Sequence, residues 1–125
     1  MTKRKPKIYD PSKLINIVNK WSLPLKDKKH GIEIYLFGRA RTNQTRLEHI
    51  VECGHDLKAR DLELIPNGIN NYVYFKKDQV YKNTYNYYIK RKGKDKGFIK
   101  VSIRINDNDS TKAWIKTIFI TYKIK

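Results

Sequence analysis

Residues 45–71 read TRLEHIVECGHDLKARDLELIPNGINN. Leu47, Ile50, Val51, Gly54 and Leu57 recur there at spacings of three and four, the apolar stripe of an amphipathic helix. Thr45 is placed as the N-cap, and Glu48 three residues later gives a capping box. Gly54 is a natural end for this helix. A second short helix is expected over 59–65, stopped by Pro66-Asn67-Gly68. The stretch decides the fold because the pattern changes on either side of it.

After Asn71 the apolar period becomes two. Strands are expected over 72–76, 84–92 (TYNYYIKRK), 98–105 and 114–124. Residues 93–97 form a hairpin loop and 106–110 a second turn, which makes an antiparallel meander. In the third of these strands Ile99, Val101, Ile103 and Ile105 share the face that packs on the helices. Lys100, Ser102 and Arg104 point the other way. Strict alternation in the last strand puts Trp114, Lys116, Ile118, Ile120, Tyr122 and Ile124 on one face. It puts Ile115, Thr117, Phe119, Thr121 and Lys123 on the other.

Before residue 45 the chain holds one clear helix. Asp10 caps it, Pro11 takes the first helical position, and Leu14, Val18 and Trp21 form its buried stripe. Residues 26–30 read as a charged loop. Residues 31–38, GIEIYLFG, read as a short strand. Residues 39–46, RARTNQTR, form a polar loop that carries Arg39, Arg41 and Arg46 into the central helix. Arginines beside a helix N-terminus suit phosphate, and a solvated loop explains them equally well.

The 125 residues make one domain of the α+β class. A basic flexible arm occupies 1–8, helices and one short strand occupy 9–71, and the meander occupies 72–125. Twenty-eight basic residues against 12 acidic ones leave a net charge of +16, a field that attracts phosphate polymers. The single cysteine excludes an internal disulfide and a cysteine-based zinc site. No apolar run of signal-peptide or membrane-span length is present. The expectation is a cytoplasmic protein with no membrane partner, no metal and no cofactor.

The segment 48–71, the strands that follow and IKTIFITY near the C-terminus resemble the small phage-associated nucleases of the barnase–EndoU–colicin–RelE (BECR) group. The resemblance covers about residues 31–125. It rests on a histidine-bearing helix at His49, the segment 62–71 and a final strand with Thr117. It implies N-terminal helices packed on a four- to five-stranded antiparallel sheet. It also implies metal-independent endoribonuclease chemistry, in which the ribose 2′-OH attacks the adjacent phosphorus to leave a 2′,3′-cyclic phosphate. That chemistry needs a base, an acid and cations for the phosphoryl oxygens. On this resemblance His49 is the proton-transfer residue, Arg46 the phosphate cation and Thr117 a donor to a phosphoryl oxygen. His55 is the second proton carrier. The sequence Glu52-Cys53-Gly54-His55 departs from the group's pattern there.

Lys100 and Arg104 are further phosphate contacts, and Tyr88, with Tyr85 and Tyr87, is a base-stacking residue. His30 ranks last of the three histidines. A toxin of this kind, from a phage or mobile element, predicts an acidic antitoxin or immunity protein beside RNA as substrate. A non-catalytic basic RNA- or DNA-binding domain is the alternative. A metal-dependent nuclease would need clustered carboxylates, and Glu33, Asp61 and Glu63 are the only acids near strand or helix ends.

Overall fold

The computed structural model describes residues 11–36 and 57–124. Two helices and six strands are built from them: α1 (Pro11–Asn19), β1 (Leu25–Asp27), β2 (Ile32–Tyr35), α2 (Ala59–Gly68), β3 (Tyr74–Lys77), β4 (Thr84–Lys90), β5 (Phe98–Asn106) and β6 (Asp109–Thr121). The expected helix at 45–54 and the basic arm lie outside the described residues.

The α+β class stands, with a larger sheet than expected. The strand order is β1-β2-β6-β5-β4-β3. The meander β3–β6 is antiparallel throughout, as its alternation and turns predicted. The sheet does not stop at four or five antiparallel strands, because β2 adds to β6 in parallel and β1 adds to β2. Neither addition has a local signature. β1 spans three residues, two of them in what reads as a charged loop, and a parallel partner is reached only through a distant crossover. Among the described residues α1 precedes the first strand and α2 enters between β2 and β3, where the 59–65 helix is expected; the helices are not all grouped before the sheet as the resemblance implied.

α2 also runs past its expected stop. Pro66 lies inside it, and the helical hydrogen bond from Ile69 N–H to Ile65 C=O (3.0 Å) follows directly. A proline inside a helix costs about 3 kcal/mol or more. Burial of Leu62, Ile65, Gly68 and Ile69 along one stripe offsets that cost. The fit is close: a Cβ on Gly68 would come within 2.7 Å of Ile89 Cδ1. On the other helix Leu14 and Val18 are buried as the stripe predicts, and Trp21 is partly buried against them.

The core sits between these helices and one face of the sheet. Ile32, Ile34, Tyr87, Ile89, Ile99, Val101, Ile103, Ile115 and Ile118 are all buried there. The last strand does not alternate as expected. Ile103 pairs with Ile115, but Ser102 pairs with Thr117, so Lys116 is the extra residue of a bulge. Ile115 is thereby on the core face with Ile118, and Trp114 joins Thr117 and Phe119 on the opposite face.

β1 and β3 are the two edges of the sheet, yet they meet. Tyr87 of β4 donates its hydroxyl hydrogen bond to Asp27 of β1 at 2.5 Å. His30, in the turn after β1, stacks on Phe75 of β3 with ring centroids 4.1 Å apart. The sheet therefore curls about its core face until a seam forms between its edges. Asn70, just past α2, ties to this seam. Its Nδ2 donates to Lys26 C=O at 2.8 Å and its Oδ1 accepts from Lys28 N–H at 2.9 Å. The amide stands in for a neighbouring strand at an otherwise open edge.

A buried ion pair fixes the other end of α2. Arg91 Nε and Nη2 donate to the two oxygens of Asp61 at 3.0 and 2.9 Å. Asp61 also accepts from Lys58 N–H at the start of the helix (2.9 Å), and Arg91 donates to Lys96 C=O (3.0 Å). One pair thus joins helix, strand and hairpin loop.

Candidate nucleic-acid interface

The strand register lays out the face away from the core in rows. One row is Tyr74–Tyr88–Lys100–Phe119. The next is Lys76–Asn86–Ser102–Thr117. A third is Thr84–Arg104–Trp114–Tyr35. Lys100, Arg104 and Thr117 thus come together on one face: the alternation set Lys100 and Arg104 away from the helices, and the register of β6 against β5 adds Thr117. Lys116 joins them because of the bulge.

The cations of this face rest on aromatic rings. Lys100 Nζ lies 5.8 Å from the Tyr88 ring centroid and 5.2 Å from that of Phe119. Lys116 Nζ lies 4.1 Å from the Tyr81 centroid. Such contacts hold a cation by the negative face of the ring. Arg104 Nη2 is 3.3 Å from Asp107 Oδ1. Lys112 pairs with Glu33 at 2.8 Å, and that bond is the chief reason the Glu33 carboxyl lies below its ordinary range.

At the centre of the middle row Asn86 and Ser102 are buried and polar. Ser102 Oγ donates to Asn86 Oδ1 at 2.6 Å, and Asn86 Nδ2 donates to Asp78 Oδ1 at 3.1 Å. The other Asp78 oxygen accepts from Val80 N–H (2.9 Å) and Tyr81 N–H (2.8 Å). These bonds, the one from Tyr81 N–H first, pull the Asp78 carboxyl down to about 2. They also fasten the turn between β3 and β4 to the face, which is how Tyr81 reaches Lys116.

The tyrosines divide in a way that repeated letters do not reveal. Tyr88 lies on the expected face but is only 1% exposed, so its ring supports Lys100 and is not presented to a base. Tyr87 is in the core, and Tyr85 stacks on Phe75 on the core side. The exposed tyrosine rings are Tyr74, Tyr81 and Tyr122, at 48%, 60% and 60% accessible. His49, Arg46, His55, Arg39 and Arg41 lie outside the described residues.

A second arrangement went unread in the sequence. Asp27, buried at the end of β1, accepts three hydrogen bonds. His30 N–H donates to Oδ1 at 3.0 Å; His30 Nδ1 (2.7 Å) and the Tyr87 hydroxyl meet at Oδ2. Burial, then the bond to Asp27, raises the Tyr87 phenol above its ordinary range. Tyr72, Phe75 and Tyr85 complete an aromatic wall beside the imidazole. The available signal was the Asp-x-x-His spacing, which places both side chains on one side of a tight turn. The charges of Lys26, Lys28 and Lys29 hid it.

Among the described residues, no three histidine, cysteine, aspartate or glutamate side chains converge as metal ligands, and no helix is long and apolar enough to cross a membrane. No family model, curated protein or solved structure matches the chain.

Proposed function

We propose that this chain binds single-stranded RNA across the outer face of β4, β5 and β6. The observation that carries the reading is the convergence of Lys100, Arg104 and Lys116 on that face, with Tyr74 and Tyr81 exposed on it. A net charge of +16 adds long-range attraction. Cations track the phosphates, and exposed rings stack on unpaired bases, which a duplex keeps stacked on one another. Fluorescence anisotropy with a labelled single-stranded RNA, with duplex DNA as competitor, tests it. The single strand should bind more tightly, and equal or tighter duplex binding would overturn the assignment.

A metal-independent endoribonuclease of the BECR kind is the second reading, and one observation favours it. Thr117 pairs with Ser102, between the rows of Lys100 and Arg104. Its hydroxyl there suits a phosphoryl oxygen held by those cations. In this reading the chain acts as a toxin from a phage or mobile element, and its basic surface calls for an acidic neutralising protein.

A further inference from the structure

We propose that the RNA strand runs lengthwise along β5 and passes from the outer face onto the hairpin loop between β4 and β5, where Lys92, Lys94 and Lys96, with the ring of Tyr122, make a second contact with it. The inference rests on the RNA reading above and gives that site a direction and a second half.

Charge along β5 sets the direction. Where the strand ends, the turn into β6 carries Asp107 and Asp109, and Asp107 pairs with Arg104. Carboxylates repel phosphates, so Arg104 is the last cation of the track at that end. The opposite end is the reverse. The row beyond Tyr74–Tyr88–Lys100–Phe119 is Lys90–Phe98–Thr121. Lys90 is exposed on it, and the loop that follows exposes Lys92, Lys94 and Lys96. None of these four lysines is ion-paired among the described residues. The strand from Arg104 back to Phe98 is about 20 Å long at the usual rise per residue. Cations thus line one path from the Arg104 row to the loop.

The loop's own acid does not interrupt that path. Asp95 is held by Lys58 Nζ at 2.9 Å and by Arg60 Nε at 3.4 Å, both from the start of α2. Lys58 and Arg60 are themselves exposed, so the loop and the helix start add to one positive surface.

The loop is also fastened in place. Arg91, paired with Asp61 in the core, donates to Lys96 C=O at 3.0 Å, and the Asp95 bonds tie the tip to α2. Lysines on a fixed loop lose less freedom when a phosphate binds than lysines on a loose one. The ring beside them is fixed too. Gly97 has φ +90°, and a Cβ there would lie 2.7 Å from Tyr122 Cδ1. The bare glycine backbone lets the Tyr122 ring lie against the end of the loop, where it is still 60% accessible. Loop cations beside an open ring repeat the pairing that Tyr74 and Tyr81 give the outer face, and that pairing suits unpaired bases.

The experiment measures the affinity of the full chain for single-stranded RNAs of about four and about twelve nucleotides, both within the range of single-strand sites. The shorter covers the outer rows alone, and the longer also reaches the loop. The wild type is compared with the loop variant Lys92→Ala, Lys94→Ala, Lys96→Ala. A control of equal net charge, Lys13→Ala, Lys20→Ala, Lys28→Ala, removes exposed lysines elsewhere and reports the loss of long-range attraction alone. Relative to that control, the loop variant should bind the longer RNA about tenfold more weakly, with a slope of log K against log salt smaller by about 2. The two variants should bind the shorter RNA alike. Tyr122→Ala should weaken the longer RNA and spare the shorter. Circular dichroism should be unchanged in the loop variant, whose three side chains hold no ion pair. A loop variant that binds the longer RNA as tightly as the control, or a wild type that prefers neither length, would overturn the inference and leave the outer-face reading standing. A wild type that binds neither RNA would sink that reading and this inference with it.

Discussion

Asp27 and Tyr87 stand 60 residues apart in the chain, and the Tyr87 hydroxyl hydrogen-bonds to Asp27 Oδ2 at 2.5 Å. The bond joins β1, at one edge of the sheet, to β4, next to the other edge. Tyr87→Phe leaves a buried carboxylate short of one donor and should cost about 1–3 kcal/mol in urea denaturation at pH 7. The folded phenol lies above its ordinary value of 10.0. Its contribution is therefore fully present below that pH and lost as pH rises beyond it. The wild type should lose stability there, and Tyr87→Phe should lose less.

Asp78 gives a prediction on the acid side. Its carboxyl is held down at about 2, against an ordinary value of 3.8. A depressed folded value contributes stability that is present above the ordinary value and lost as pH falls through the folded one. The wild type should therefore weaken between pH 3.8 and about 2. Asp78→Asn should be less stable at pH 7 and lose less over that window, as read by thermal melts across pH. An equal acid response in both proteins would contradict the role given to this carboxyl.

The Asp61–Arg91 pair should behave as a buried, fully bonded unit. Arg91→Met leaves Asp61 buried without its guanidinium and should cost about 3–5 kcal/mol. Asp61→Asn with Arg91→Met together should cost less than the sum of the single changes, because neither charge is then stranded. A double-mutant cycle by chemical denaturation checks this, and strict additivity would count against it.

The meander was legible because FIKVSIRI and its neighbours alternate strictly and turn-forming residues bound each strand. The outward placing of Lys100 and Arg104 followed from the same alternation, while Thr117 came to that face only through the register of β6 against β5. Lys116 joined it only through a bulge, which shifts the phase of β6 and leaves no mark in composition. α2 ran through Pro66 because tertiary burial of Ile65 and Ile69 outweighed a local breaker. β1, the parallel β2–β6 pair and the seam were not legible, since each depends on contacts between distant residues. Asp27, His30 and Tyr87 illustrate the limit. Two share a turn, but only the curl of the sheet brings the third to them.

The most direct test of the central claim is the salt dependence of single-stranded RNA affinity, for the wild type beside the triple variant Lys100→Ala, Arg104→Ala, Lys116→Ala. Each phosphate contact on a single strand contributes about 0.7 to the slope of log K against log salt. The account predicts steeply salt-dependent binding by the wild type, with a triple variant that binds more weakly and whose slope is smaller by about 2. Equal affinity and equal slope for the two proteins, or no RNA binding by the wild type, would contradict it.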